Sequence, residues 1–572
     1  MTPSSLLKKY WGFEQFRPAQ KTAISHILNH KDVIALLPTG GGKSICFQIP
    51  ALFLEGICLV ISPLISLMHD QVESLNSKGI KAMLLEGTLS YRELQTQLDN
   101  CSYGPYKFLY LSPERLQNQL VQERLQQMNI NLIAIDEAHC ISEWGHDFRP
   151  AYRKLAFLRE LKPHAAIIAL TATATKQVLT DIQTNLSMNK AELVQQSFER
   201  KNICLLVHQS KHKNNDLLTF LQRNKGASIV YVRSRKLAVE LAQYLSAHRL
   251  QTAAFHGGMQ LEKKKQLLHD WKNEKIDIII ATTAFGMGID KANVRNVLHY
   301  QLPDSMESYY QEIGRAGRDE QKAKALLLYN DKDLVSLKSQ YLTTIPSPES
   351  IRHVYKKINA YFSIAYGEGM EDEYNFNFSK FCRSYGLNHQ LTFHTLQLLD
   401  QLGVLRLINQ HRQRIELRLR VSPPVLRSFL EKNQFYKPLI HGLLRRQGGV
   451  FGTKTSVNLF QLKTQTGLHE EQILSQLKKL KEQEIIELNI ANQDTSIRFL
   501  VPREDQYTLN PLLFYLKAYR QNKVQKVEAM LQYVEHNTQC KTIQLLSYFG
   551  ETKTKKCGHC SFCLRNRITP TK

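Results

Sequence analysis

Long apolar runs are missing from these 572 residues. None approaches the ~18 residues needed to cross a bilayer, so no spanning helix and no membrane role is expected. Low-complexity tracts are missing too, and 43% apolar content supplies the material for packed cores. Acidic side chains are in short supply: 51 Asp plus Glu face 75 Lys plus Arg, a net charge of +24. Such an imbalance favours polyanionic partners, which a basic surface binds by releasing counterions. The excess persists late in the chain, where residues 506–572 carry 11 basic and 3 acidic side chains. The opening Met1-Thr-Pro-Ser-Ser-Leu-Leu-Lys-Lys lacks an apolar stretch ending in a small-residue cleavage site, so a cytoplasmic location is expected. Disulfides are then not expected either. Six of the ten cysteines are scattered (Cys46, Cys58, Cys101, Cys140, Cys204, Cys382), several of them in apolar, strand-like runs. The other four, Cys540, Cys557, Cys560 and Cys563, gather near the end, which argues for metal.

What is present is alternation. From Lys31 to about Asn330, short Ile/Val/Leu runs alternate with polar, helix-like stretches. The first set is Asp32–Leu37, Ile57–Ser62, Phe108–Ser112, Leu132–Ile135 and Ile167–Leu170. The second is Ser228–Val232, Thr252–Phe255, Asp277–Ala281, Val297–Tyr300 and Ala325–Tyr329. Continuous apolar strands separated by helices imply parallel sheets covered on both faces. Two such α/β lobes, meeting near residue 200, are expected to flank a cleft. The alternation stops near Ile345-Pro-Ser-Pro-Glu. Two helix-rich units with winged-helix character follow. The first runs from Phe381 through a helix to Leu402 and ends in the alternating Ile415–Leu419. The second comprises Leu459–Gly467, Glu470–Glu482, Ile485–Leu488 and Ile497–Leu500.

The chemistry concentrates at strand ends, where open α/β sheets bind their ligands. The first strand enters Pro38-Thr39-Gly40-Gly41-Gly42-Lys43-Ser44, although the generic phosphate-loop pattern begins with a glycine where this chain has Leu37. The glycines let backbone N–H groups close around phosphate oxygens. Lys43 supplies charge for the β and γ phosphates, and the Ser44 hydroxyl can ligate Mg²⁺. Asp136 and Glu137 follow Leu132–Ile135: Asp136 is expected to hold Mg²⁺, and Glu137 to orient or deprotonate the attacking water. His139 and Gln311 join the candidate catalytic set. Arg315 and Arg318, three apart in Gln311-Glu-Ile-Gly-Arg-Ala-Gly-Arg318, would share one side of a helix, and either could stabilise the transition state as an arginine finger. The run Asp136 to Arg149 continues with aromatics suited to stacking on unpaired bases. Hydrolytic acids and a stacking surface in one short loop point to a motor that moves along nucleic acid. An RNA helicase and an ATP-gated DNA-binding regulator are the rival readings.

These residues resemble the RecQ helicases, a branch of superfamily 2. The matching segments are Phe16-Arg-Pro-Ala-Gln20, Pro38–Ser44, Ser62-Pro-Leu-Ile-Ser-Leu67, Ser112-Pro-Glu-Arg115, Asp136–Arg149, Thr171-Ala-Thr173, Ala281–Asp290 and Gln311–Arg318. The resemblance implies two tandem RecA-like lobes at 1–200 and 201–344. It implies an ATP- and Mg²⁺-dependent 3′-to-5′ helicase acting on single-stranded and partly duplex DNA. It further implies that Gln20 reads the adenine edge with Phe13 and Arg17 against its faces. Trp144 and Phe148 would sense single-stranded DNA, with His146 and Arg149 carrying that signal toward the nucleotide. The expected remainder is winged-helix-like modules at 345–425 and 426–510 and a helical zinc-binding domain at 511–572. The chain is expected to be a monomer, nucleoid-associated if bacterial, with a single-stranded-DNA-binding protein or repair proteins as partners.

Cys540, then Cys557-Gly-His-Cys560-Ser-Phe-Cys563, can complete a tetrahedral Zn²⁺ shell without His559. This stretch also resembles the zinc-binding domain of the same family, with a structural role for the metal. One departure stands out. In the best-known members this zinc module follows the second lobe directly and precedes a winged helix. Here the two inserted units come first, and the chain ends soon after Cys563.

Overall fold

The structure, a computed structural model, describes residues 2–568 except 39, 87–88, 90, 143–144, 146–147, 284, 286–290, 343–344, 409–413, 445–449, 452–454, 458, 469 and 492–494. The chain divides into two compact units, residues 1–343 with 518–572, and residues 344–517.

The first unit holds two parallel sheets. Strands β1 (Val33–Leu36), β2 (Ile57–Ile61), β3 (Ala82–Leu85), β4 (Phe108–Leu111), β5 (Ile130–Ile135), β6 (Ala166–Thr171) and β7 (Glu192–Gln195) lie in the order β3-β4-β2-β5-β6-β1-β7. Every pairing among them is parallel. Strands β1, β2, β4 and β6 are buried at every position, and β5 at all but Asn131, as a sheet with helices on both faces requires. The order matters for chemistry: β5, β6 and β1 are neighbours, so the loops leaving their C-terminal ends share one edge. The second sheet contains β8 (Ile203–Gln209), β9 (Ser228–Tyr231), β10 (Thr252–Phe255), β11 (Ile278–Ala281), β12 (Asn296–His299) and β13 (Ala323–Tyr329). Their order is β10-β11-β9-β12-β13-β8, again all parallel. In these two sheets the strands that the sequence pattern did not mark are β3, β7 and β8. All three are edge strands, and β7 and β8 are half-exposed, which dilutes the apolar signal.

The C-terminal segment joins the same core as both lobes. Val527, Met530, Leu531, Tyr533 and Val534, on the helix Gln506–Glu535, pack in one apolar cluster with residues of both sheets.

In the second unit the strands pair differently from their order in sequence. Strands β14 (Glu373–Phe376) and β15 (Leu405–Ile408) both pair antiparallel with β19 (Thr495–Phe499). Between β15 and β19 come β16 (Arg414–Leu419), β17 (Thr455–Val457) and β18 (Ile486–Ala491), which form a separate antiparallel sheet. The strand at 415–419 therefore belongs with the later helices, and that at 497–500 with the earlier ones, the reverse of the sequence assignment. One module is interleaved within the sheet of the other. An alternating pattern marks a strand with one buried face and carries no information about which distant strand it pairs with. The inner module closes over Leu417, Leu439, Ile440, Leu443, Ile473, Leu477 and Ile486. The outer one closes over aromatics, with Tyr361, Phe362, Phe376, Phe381 and Phe499 in mutual ring contact.

Candidate active site and metal centre

The chain leaves β1 at Leu36 and turns through Gly40 and Gly42, at φ 80° and 74°, before the helix Ile45–Phe53 begins after Ser44. Those left-handed values favour glycine and turn the backbone toward the helix N-terminus, where orphan N–H groups and the helix dipole favour phosphate. Thr39 lies outside the described residues. From the adjacent strand ends, β5 delivers Asp136 and Glu137, and β6 delivers Thr171. Lys43 Nζ stands 4.0 Å from Glu137 Oε1. Glu137 takes φ 48°, strained for a residue with a side chain, and its amide donates to Asp136 Oδ1 at 3.0 Å. The Tyr152 hydroxyl donates to the Asp136 carbonyl at 2.9 Å, which ties down the strand end.

Two acids this close, both buried, are expensive to ionise together. Burial first, and Glu137 second, push Asp136 up to about 6, against the opposing pull of Lys43. His139 Nδ1 lies 2.9 Å from Thr171 Oγ1 and 3.3 Å from Glu137 Oε2. Burial, with Lys43, Lys526 and Arg149, pushes its imidazole down to about 3, so His139 is neutral at working pH. The donor set fits Mg²⁺: Ser44 and Asp136 are hard oxygen ligands, and a dication would offset the carboxylate charge that burial penalises.

The residues expected at the nucleotide edge gather around the start of the helix Pro18–Leu28. Gln20 Oε1 accepts from the Arg17 amide at 3.0 Å, while its Nε2 donates to the Gly41 and Gly42 carbonyls, both at 3.2 Å. Arg17 donates to the Gly40 carbonyl at 2.8 Å and pairs with Glu320 of the second lobe at 3.1 Å. Phe13 is 56% exposed, just past the Gly12 cap of the preceding helix.

The second lobe closes the site. Its helix Met306–Ile313, carrying Gln311, stops at Gly314, so Arg315 and Arg318 lie beyond it in a turn, not on one helical face as expected. Gly317, at φ 55°, separates the two. Arg315 is buried and interacts with Tyr231. Arg318 instead lies against the phosphate loop, its Cγ 3.1 Å from where a β-carbon on Gly40 would stand. A cleft of about 330 Å³ beside them is lined by Arg17, Gly40, Gly41, Arg200, Arg318 and Glu320 among others. Sequence reasoning missed the braces of this turn. Arg200 donates to the carbonyls of Gly314, Ala316 and Gly317 at 3.0–3.3 Å, and Asn202 to those of Gly317 and Gln321 at 2.8–2.9 Å. No local pattern marks them, because their targets are backbone atoms more than a hundred residues away.

In the aromatic loop, Trp144 and His146 lie outside the described residues. Arg149 donates to the Pro63 carbonyl at 2.9 Å, linking the loop to the Ser62–Leu67 segment. The Phe148 ring faces the Arg153 guanidinium at 5.2 Å.

At the C-terminus the Sγ atoms of Cys540, Cys557, Cys560 and Cys563 all lie within 4.8 Å of one another. The separations of 3.5 Å (540–557), 3.7 Å (540–560) and 4.0 Å (557–563) are far too long for disulfides. They match the ~3.8 Å edge of a tetrahedron built on Zn–S bonds of ~2.3 Å. Cys540 caps the helix Lys541–Tyr548, Gly558 at φ 83° forms the knuckle, and Cys563 sits in the first turn of Ser561–Ile568. His559 turns its Nδ1 to the Cys557 carbonyl at 2.9 Å, leaving four thiolates as the Zn²⁺ shell.

Comparisons with known proteins agree with this geometry. Residues 17–182 match the DEAD/DEAH box helicase family and 212–320 the helicase conserved C-terminal domain. Residues 417–490, the inner module, match the RecQ helicase winged-helix domain of Bacteroidota, and 498–564 match the RecQ zinc-binding family. The ATP-dependent DNA helicase RecQ of Bacillus subtilis (strain 168) is 44% identical over 334 residues, covering 58% of this chain and 56% of that protein. The protein of the same name from Synechocystis sp. is 41% identical over 335 residues, covering 57% of this chain and 70% of that protein. The chain thus spans only a little over half the length of the first of these relatives. The crystal structure of the DUF1998 helicase MrfA bound to DNA and AMPPNP shares the fold, with TM-score 0.50 at 17% identity over 59% of this chain and 52% of that one. With RecQ relatives matching both lobes and RecQ-type winged-helix and zinc modules following them, this chain belongs to the RecQ helicase family.

Proposed function

We propose that the chain is an ATP-dependent DNA helicase that moves 3′ to 5′ along one strand and separates the duplex ahead of it. The observation that carries this reading is Arg318 of one lobe resting on the phosphate loop of the other, across from Lys43, Asp136 and Glu137. Such a site is complete only while the lobes are together, so each hydrolysis cycle can open and close a cleft. The name shared by the Bacillus and Synechocystis relatives supports DNA as the track, and the direction follows the family resemblance.

In this mechanism Lys43 and the phosphate-loop amides hold the β and γ phosphates. Glu137 orients the attacking water and accepts its proton, with neutral His139, itself held by Thr171, beside that carboxylate. Arg318 meets charge that develops on the γ-phosphate in the transition state. Bound Mg²⁺ would supply charge neutralisation between the phosphates and the carboxylate of Asp136. Trp144 and Phe148 stack on bases, and His146 and Arg149 relay their occupancy. Zn²⁺ serves the fold of the C-terminal module. The chain acts as a monomer in the cytoplasm, at the nucleoid in a bacterial cell, alongside a single-stranded-DNA-binding protein or repair proteins.

The test is strand displacement on DNA duplexes carrying a 3′ or a 5′ single-stranded tail, with Lys43→Ala as control. Displacement of the 3′-tailed duplex alone, lost in the control, is expected. Equal or better displacement of a tailed RNA duplex would move the reading to an RNA helicase. ATP-dependent DNA affinity without displacement would make the protein a regulator.

A further inference from the structure

Lys526 lies on the helix Gln506–Glu535, within the part matched to the zinc-binding family, far in sequence from either lobe. It is nonetheless buried, with 7% exposure, and touches both lobes at once. Its Nζ donates to the carbonyl of Gly145, in the aromatic loop of the first lobe, at 2.8 Å. The same Nζ stands 3.6 Å from Glu307, in the first turn of the second lobe's helix Met306–Ile313, and that carboxylate is also buried. Tyr548 of the zinc module and Thr175 and Gln177, just past the Thr171–Thr173 segment, line the same cleft of about 370 Å³.

From Gly145 two backbone hydrogen bonds lead to His139, whose ring stands beside the catalytic acid. The Gly145 amide donates to the Ser142 carbonyl at 2.9 Å, and the Ser142 amide to the His139 carbonyl at 3.2 Å. His139 then stands 3.3 Å from Glu137. Gly145 packs closely on this path, since a β-carbon there would stand 2.2 Å from the His139 carbonyl. A buried ammonium carries three N–H donors: the Glu307 carboxylate offsets its charge, and one donor goes to the loop carbonyl.

We propose that Lys526 is a positioning residue that fastens the aromatic loop to the second lobe, so that DNA on the loop reaches Glu137 and the closing cleft together. This rests on the DNA-driven motor reading above. Lys526 touches neither nucleotide nor the reacting atoms; it acts through Gly145 and Glu307.

The bland alternative is that Lys526 only neutralises Glu307, and the two ideas separate in a pair of variants of the full chain. Glu307→Gln removes the charge but keeps an amide oxygen that can accept from Lys526, so both the loop bond and the link to the second lobe persist and stimulation of ATPase by oligo-dT stays at the wild-type level. Lys526→Met combined with Glu307→Gln leaves no orphan charge. Its thermal midpoint and its ATPase without DNA match the single variant, yet stimulation by oligo-dT falls about tenfold, within the usual range for coupling between sites. Equal stimulation in the two variants would overturn the proposal. Should the methionine variant lose its cooperative thermal transition, Lys526→Gln with Glu307→Gln fills the slot with a shorter amide, and the same two outcomes apply. Wild-type ATPase indifferent to oligo-dT would instead sink the motor reading, a result visible before any variant is made.

Discussion

Arg318 rests on Gly40: the arginine's Cγ lies 3.1 Å from the place a β-carbon on that glycine would occupy, and Gly40 itself sits at φ 80°. Glycine serves two ends here, a left-handed turn that faces amides toward phosphate and a bare surface on which the second lobe can close.

Arg318→Ala is therefore expected to lower kcat for ATP hydrolysis on the order of a thousandfold, the usual scale for an arginine that meets transition-state charge. Nucleotide affinity should change little. Phosphate release and binding of a fluorescent ATP analogue, measured side by side, check this; a loss confined to affinity would move Arg318 out of the chemistry.

Gly40→Ala should damage the site without unfolding the protein. The left-handed turn costs a residue with a side chain roughly 1–2 kcal/mol. The new methyl group must also push Arg318 aside, and a displacement of that order can cost about a hundredfold in rate. The ATPase rate with a thermal melt decides: an intact rate would mean the lobes do not close over Gly40 during turnover.

Asp136 gives a pH dependence whose sign can be worked out. Burial and Glu137 raise it to about 6, so the folded chain binds this proton more tightly than the unfolded one. The stability it contributes is full below the ordinary carboxylate range and is lost as pH rises through 6. Asp136→Asn removes that penalty. Without nucleotide, the variant should melt above wild type at about pH 8 and lose most of that advantage at about pH 4, while ATPase disappears. A variant less stable than wild type at the higher pH would show that Lys43 outweighs burial.

The zinc module grips the connection between the lobes, and removing the grip should be costly. Phe549 stacks on Phe198 at 4.5 Å, and Glu551 accepts from the Phe198 amide at 2.6 Å and the Ser197 hydroxyl at 2.7 Å. Phe549→Ala is expected to cost about 3–5 kcal/mol, the range for truncating a buried phenyl ring. Denaturant titration of the full chain checks the size of the loss.

Cys560→Ser should take bound zinc from one per chain to none, and a chelator should do the same to wild type slowly. Both should expose the C-terminal residues to protease, because Cys540 and Cys563 each hold the end of a helix in place through the metal. Metal analysis with limited proteolysis reads this. Zinc retained by the variant would implicate His559.

Much of the site was legible because its residues act through local geometry. A glycine run before Lys43 bends the chain wherever it occurs, an acid pair ends an apolar strand, and three cysteines within seven residues make a knuckle. Arg315 and Arg318 were legible as cations but not as partners. Spacing suggested a shared helical face, whereas Gly314 ends the helix and Gly317 turns the chain, sending one to Tyr231 and the other to Gly40. The inserted modules show the same limit more strongly, since the consecutive strands β15 and β16 lie in different sheets, as do β18 and β19.

Sequence alone thus determined which groups are available: the phosphate loop, the acids, the thiolates, the aromatic run and the alternation that builds two parallel sheets. Tertiary structure decided which of them meet. The order β5-β6-β1 brings Asp136, Thr171 and Lys43 to one edge, and Lys526 crosses some 380 residues of chain to reach Gly145. The physical reason is that periodicity and turn chemistry act over a few residues, while strand order and buried ion pairs are settled by the packing of whole layers.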